Sequence, residues 1–284
     1  MAEAVDPPFD RPDAAFNTLS GWTWISCYGG TYLQADLLNA FEHGFFTRQW
    51  QGRQPEELAG YLSAGVSVHR PQQVHSALVL GAAQATGDPW PQADGLVSDG
   101  GGQSLWVCGA DCTPVLIADP GNGQVASCHA GWRGVAGGIL KAAVERLEHQ
   151  GGQRQRLLVA LGPAISAPAY QVGRPVVNAI AESLGMRDGD AGRDGDGGAD
   201  ADTNATPSWN TPLLEAGILL PDDQVDHWRL DIRQAAVLQL QQLGVDPDRI
   251  AVCPLCTHGE PLLFHSWRRD QRKAVQWSGI VSQA

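Results

Sequence analysis

Apolar positions along the chain recur with two periods. From Trp22 to Cys27 the run WTWISC places large apolar residues at alternate positions, which predicts a strand. EHGFFTR, residues 42–48, predicts a second strand that runs into a loop, with Arg48 at its end. PEELAGYLS (55–63) has helical spacing behind a proline in its first turn, and QQVHSALVL (72–80) returns to alternation, predicting a strand that carries His75. SLWVCG (104–109), PVLIAD (114–119) and QVASCHA (124–130) are three β-type runs separated by Gly, Asp and Pro, as in a meander or one layer of a sandwich. The period then switches: GVAGGILKAAVERLEHQG (134–151) predicts an amphipathic helix closed by glycine. RLLVALGPAI (156–165) predicts a strand, PVVNAIAESLG (175–185) a helix, DIRQAAVLQLQQLGV (231–245) a helix with an aspartate cap, and RIAVCP a last strand. Strands interspersed with helices predict a mixed α/β or α+β sheet with helices packed outside it. There is no internal repeat.

Composition narrows this picture. With 284 residues, 43% of them apolar, the chain can bury a full core, and one domain is expected over 21–284 behind an N-terminal tail, 1–20. RDGDAGRDGDGGADADTN (187–204) has six Asp, two Arg and five Gly and nothing apolar larger than alanine, so it is expected to be a disordered insertion rather than part of the core. It lacks the glycine and terminal glutamate of an EF-hand loop. The net charge of −12 argues against nucleic acid or anionic lipid as a partner and favours a small-molecule substrate. Neither a secretory signal nor a membrane-spanning run is visible, so a cytoplasmic protein with reduced cysteines is expected.

The six cysteines and eight histidines hold the candidate chemistry. Zinc and copper favour imidazole and thiolate, and a catalytic site uses three protein ligands and leaves one position open. His75, Cys112 and His129 make such a set. Strand alternation sends Cys128 and His129 to opposite faces. An idle buried imidazole is the costlier of the two, so His129 goes to the site and Cys128 to the core, as does Cys108. Cys112 as a nucleophile with His129 as its base is an alternative that leaves His75 without a role. HAGWRGVAGG leads from strand to helix, where free N–H groups and Arg133 suit an anion, or where glycines serve only a tight turn. A rival metal set, Cys253, Cys256, His258 and His265, has spacing too short in its second half for the usual zinc pattern. In WRRD, alternation turns one of Arg268 and Arg269 inward, where it could hold an anion.

Taken together, HGFFTR, QVHS, DGLVSD, GADCTPVLIADP, VASCHAGWRGVAGGIL, ALGPAIS, YQVG and FHSWRRD resemble the bacterial laccase-domain family. Its members are known both as multicopper polyphenol oxidases and as purine nucleoside phosphorylases with adenosine deaminase activity. The resemblance implies a layered α/β fold, and metal ligation, usually of zinc, by His75, Cys112 and His129. It implies a role for Arg48 in catalysis and phosphate contact. The chain departs from the family where QWQGRQPEELAGYL follows the TR of HGFFTR and where RRDQRKAVQWSGIV closes the sequence, both regions of substrate contact.

The function so implied is phosphorolysis of adenosine, inosine and 5'-methylthioadenosine, plus hydrolytic deamination of adenosine. Zinc would lower the pKa of water toward about 7 for attack on the purine C6, with Asp111 as the acid or base. Arg48, with Arg133 or Arg268, would hold phosphate for attack at C1' of the ribose. The alternatives are copper-dependent phenol oxidation, hydrolytic editing of cell-wall precursors with Cys112 as nucleophile, and a non-catalytic metal-binding module.

Overall fold

A computed structural model describes residues 19–87, 89–186 and 210–283 of the chain. The tail expected over 1–20, except its last two residues, and the insertion expected over 187–204 lie outside the described residues. In chain order the strands are β1 (Trp22–Cys27), β2 (Gly30–Ala35), β3 (His43–Phe46), β4 (Ser67–His69), β5 (Val79–Gly81), β6 (Gly95–Val97), β7 (Gln103–Gly109), β8 (Thr113–Ala118), β9 (Val125–Ala130), β10 (Leu158–Leu161), β11 (Gln171–Gly173), β12 (Leu219–Pro221), β13 (His227–Leu230), β14 (Ile250–Val252) and β15 (Gln276–Val281). The α-helices are α1 (Pro55–Leu62), α2 (Trp132–Ala136), α3 (Ile139–His149), α4 (Arg174–Ser183), α5 (Thr211–Glu215), α6 (Ile232–Gln242) and α7 (Trp267–Asp270).

The strands form two six-stranded sheets, ordered β1-β2-β3-β15-β7-β4 and β14-β10-β8-β9-β6-β5, and a small sheet β11-β13-β12. Among the described strands, β4–β7, β5–β6 and β10–β14 pair parallel and the rest antiparallel, so both large sheets are mixed. Period-two alternation sorts side chains between layers. On β3, Phe45 joins Trp22, Leu33, Leu105 and Leu116 in a core shared by the two large sheets. Phe46, one residue on, packs with Trp50, Leu58 and Trp106 beneath α1. On β8, Leu116 and Ala118 face the first sheet, while Val115 and Ile117 face the helices through Val144, Ile180 and Leu240. Every residue of β8 and β9 is therefore buried, which is why both strands read as nearly continuous apolar runs. The result is a layered, mixed α/β fold.

Several expected elements change. Of the strand expected over 72–80, a strand forms only at Val79–Gly81, and Gln72 makes an isolated bridge to Gln92. The Asp94 carboxylate accepts the backbone N–H groups of Val74, His75 and Ser76, so no ladder can use them, and His75 sits in a loop at φ 60°. The helix expected over 134–151 starts earlier and breaks into α2 and α3, because Gly138 adopts a left-handed φ of 81° between them. β8 and β9 pair as a hairpin, but β7 belongs to the other sheet, so the three runs are not one meander. WRRD is a helical turn, α7, capped by the Ser266 hydroxyl, so strand alternation does not govern its arginines. The aspartate cap holds: the Asp231 side chain accepts from Arg233 and Gln234 N–H at the start of α6. No helix among the described residues is long and apolar enough to cross a membrane.

Candidate metal centre

The β8–β9 hairpin pairs Pro114 with His129, and Cys112 lies just before β8, so local pairing alone brings Cys112 beside His129. His75 arrives from the loop that Asp94 holds. One nitrogen or sulfur from each of the three lies within 4.8 Å of the others, and among the described residues this is the group of His, Cys, Asp and Glu able to hold a metal ion. The two imidazoles meet edge to face with centroids 4.8 Å apart. His75 is exposed, Cys112 half-buried and His129 buried, so the group opens outward on one side.

Asp94, fully buried, ties the group together, and sequence reading did not single it out. Its Oδ1 accepts from His129 Nδ1 at 2.9 Å and from the His75 backbone N–H at 3.0 Å. Its Oδ2 accepts from Ser76 N at 2.6 Å and Ser76 Oγ at 2.8 Å. With Nδ1 committed to the carboxylate, Nε2 of His129 is left for a metal, the usual carboxylate–histidine arrangement behind a ligand. The available signal was chemical: a ligating imidazole needs such a partner, and Asp94 stands at the mouth of an apolar strand.

Charges follow the contacts. Burial opposes ionisation of Asp94, but the bonds from His129 and Ser76 outweigh it and hold the carboxyl at about 2. Burial likewise opposes the Cys112 thiolate, yet hydrogen bonds from His129 and His75 bring its pKa down to about 6. Burial disfavours protonated His129, and Asp94 and Cys112 overcome this, raising it to about 9. Even without a metal, then, Cys112 is poised as the thiolate that soft cations require. The donor set fits zinc: two imidazoles and one thiolate, with an open side.

The backbone is shaped to this end. His75 and Asp111, at φ 60° and 97°, are two of the four described non-glycine residues with left-handed backbone. Gly131 is required: a Cβ there would stand 2.8 Å from Cys112 Sγ. The open side faces a cavity of about 570 Å³ walled by Ile165, Tyr170, Ile232, Trp132, Trp267 and Val275, with Arg268, Arg272 and Lys273 among its lining residues.

The other expected residues divide. Asp111 lines the cavity, and both its oxygens are engaged, accepting from Thr257 Oγ1 and from Arg268 N, each at 2.7 Å. Arg268 lines the cavity, its guanidinium 5.2 Å from the centre of the Tyr170 ring. The Arg133 guanidinium stacks on Trp132 at 4.4 Å, with only the tryptophan forming cavity wall. Arg48 donates to the Pro261 carbonyl at 2.6 Å and lies outside the lining. Cys128 packs in the helix-side core, where burial pushes its thiol up to about 12. Cys108 differs from expectation by lining the cavity, although burial pushes its thiol to about 12 as well. The rival set does not assemble: Cys253 is in the sheet core, and Cys256 Sγ accepts from Ser166 N and Gly259 N.

Fold and site together define a layered α/β protein with an outward-opening His-Cys-His group able to hold a metal ion. The family model for multi-copper polyphenol oxidoreductase laccase matches residues 53–282, and the chain belongs to that family. It is 38% identical over 267 residues to a purine nucleoside phosphorylase of Synechocystis sp., covering 92% of this chain and 97% of the relative. A shorter match, 41% identical over 90 residues, covers 32% of this chain and 34% of an adenosine deaminase from an unknown prokaryotic organism. Among solved structures, a Neisseria meningitidis DUF152 protein superposes with a TM-score of 0.64 at 26% identity, covering 93% of this chain and 100% of its own. YlmD from Geobacillus stearothermophilus gives 0.71 at 24% identity, covering 89% of this chain and 96% of its own, and shows the same fold.

Proposed function

We propose that the protein is a cytoplasmic zinc enzyme acting on purine nucleosides: it cleaves adenosine, inosine and 5'-methylthioadenosine by phosphorolysis and deaminates adenosine. The observation that carries this reading is the His75–Cys112–His129 group opening onto a cavity with aromatic and cationic walls. The names of the relatives supply the substrate class.

His75, Cys112 and His129 would hold the zinc, which when bound supplies a Lewis acid for an oxygen of water or substrate. Asp94, bonded to His129 Nδ1, would leave Nε2 free to ligate the zinc. Trp132, Tyr170 and Trp267 offer flat apolar faces that suit a purine and exclude water. For phosphorolysis, phosphate must be held against the ribose C1' while positive charge develops there, and arginine donates to it in pairs. Arg268 is assigned this role by its place on the wall, Arg133 by its neighbouring position, and Arg48 by family resemblance. Asp111, to move a proton, must release one of its two hydrogen bonds. All six cysteines are free, in keeping with a reducing compartment.

The test is direct. Zinc-loaded protein given inosine and phosphate should release hypoxanthine and ribose 1-phosphate, and given adenosine alone should release inosine. Failure of both reactions, with phenol oxidation appearing on copper loading, would replace this reading with the oxidase.

A further inference from the structure

The chain carries 31 acidic residues against 19 basic ones, yet among the described residues Asp111 is the sole Asp or Glu lining the cavity. Three cations share that lining, Arg268, Arg272 and Lys273, all exposed and all from α7 and the loop that follows it. Asp111, which accepts from the Thr257 hydroxyl and the Arg268 backbone N–H, can offset only one of these three positive charges. Asp270, the nearest acid in sequence, is held by Arg269 through two bonds of 2.9 Å. Positive charge is thus concentrated at one wall of a cavity in an otherwise acidic protein, where apolar walls strengthen its field.

The wall is also built. Asp111 anchors the backbone of α7 next to Cys112, and Arg268 Nη1 donates to the Gln171 carbonyl at 3.0 Å. Gln271 ends α7 in a left-handed conformation, φ 50°, and turns the chain so that Arg272 and Lys273 line the same cavity as Arg268. A non-glycine residue holds that conformation at some cost, which the surrounding contacts must offset.

We propose that Arg268, Arg272 and Lys273 form a phosphoryl-binding rim on the cavity, a site for a tetrahedral phosphate dianion. That dianion is either free phosphate or the phosphate ester of a nucleotide whose base occupies the aromatic part of the cavity. The nucleotide arm rests on the purine reading above; the rim itself rests on charge and geometry. Arginine pairs two N–H donors with phosphate oxygens, and lysine adds a point charge.

Titration calorimetry of the zinc-loaded protein with inorganic phosphate, inosine and inosine 5'-monophosphate tests this. Phosphate should bind, should weaken as NaCl rises, and should lose about tenfold or more in affinity in R272Q/K273Q. The charge-conserving R272K/K273R should recover most of the loss, which separates charge from folding. Inosine 5'-monophosphate binding much more tightly than inosine, in competition with phosphate, identifies a phosphoryl group carried by the substrate; phosphate binding alongside inosine identifies free phosphate. Equal phosphate affinity in the wild type and R272Q/K273Q, or no binding of either phosphoryl compound, overturns the rim. If phosphate binds and is lost in R272Q/K273Q while inosine never binds, the rim stands and the purine reading falls.

Discussion

Two regions of this chain carry cysteine and histidine at close spacing, 108–129 and 253–265, and only the first gathers them. In the first, a β-hairpin sets Cys112 beside His129, and Asp94 fixes both the His129 ring and the loop that brings His75. In the second, the loop is organised by Arg269, which donates to the carbonyls of Thr257, His258 and Phe264. Its sulfurs serve other ends: Cys253 fills the core between the sheets, where burial pushes its thiol up to about 12, and Cys256 accepts backbone N–H groups. What gathers the donors here is less their closeness in sequence than a buried carboxylate that holds them.

The largest test of this contrast is metal content. Cys112→Ala should abolish zinc binding, whereas Cys256→Ala should leave the stoichiometry intact; elemental analysis after dialysis decides, and equal loss in both would erase the distinction. Next in size is thiol reactivity in the metal-free protein. Cys112, with a pKa of about 6, should alkylate at a rate that is flat above that pH and falls about tenfold per unit below it, while Cys253 stays unmodified. Mass spectrometry of iodoacetamide-treated protein across pH would show it, and a midpoint near the ordinary thiol value would count against the paired thiolate.

His265 sharpens the comparison from the other side. It is buried with Nε2 unbonded, and burial, helped by Arg48, lowers its pKa from 6.5 to about 4. Between those pH values the unfolded chain binds a proton that the folded protein refuses. The stability this histidine contributes is full above 6.5 and is lost as pH falls through about 4, of order 3 kcal/mol. Denaturation midpoints against pH should be correspondingly flatter in His265→Gln over that window. The smallest effect is expected for Asp94→Asn, which keeps the shape but weakens the grip on His129: zinc affinity should drop about 10–100-fold in a chelator competition. An unchanged affinity would mean that the hairpin alone orients the ligands.

Much of this was legible beforehand where one periodicity dominates. β8 and β9 are buried on both faces and read as apolar runs, and the Asp231 cap fixed the start of α6. The grouping of His75, Cys112 and His129 was legible, helped by family resemblance, and the opposition of Cys128 to His129 followed from the pleat. The segment around His75 misled because an alternating pattern there is not a strand: Asp94, far along the chain, takes the N–H groups a ladder needs. α7 misled for a similar reason, since its short turn is fixed by Ser266 and Asp111 rather than by its own periodicity.

By itself the sequence determined the alternating core strands, the amphipathic helices, the supply of imidazole and thiolate donors and the overall acidity, because each is a local or compositional property. Only the tertiary structure decided that Asp94 aims the ligands, that Cys108 lines the cavity while Cys128 does not, and that Arg268, Arg272 and Lys273 share a wall with the metal group while Arg48 stands outside it. The reason is distance along the chain: contacts such as Asp111 to Thr257 and Arg268 join residues that no period connects, and they form only when sheets and loops pack together.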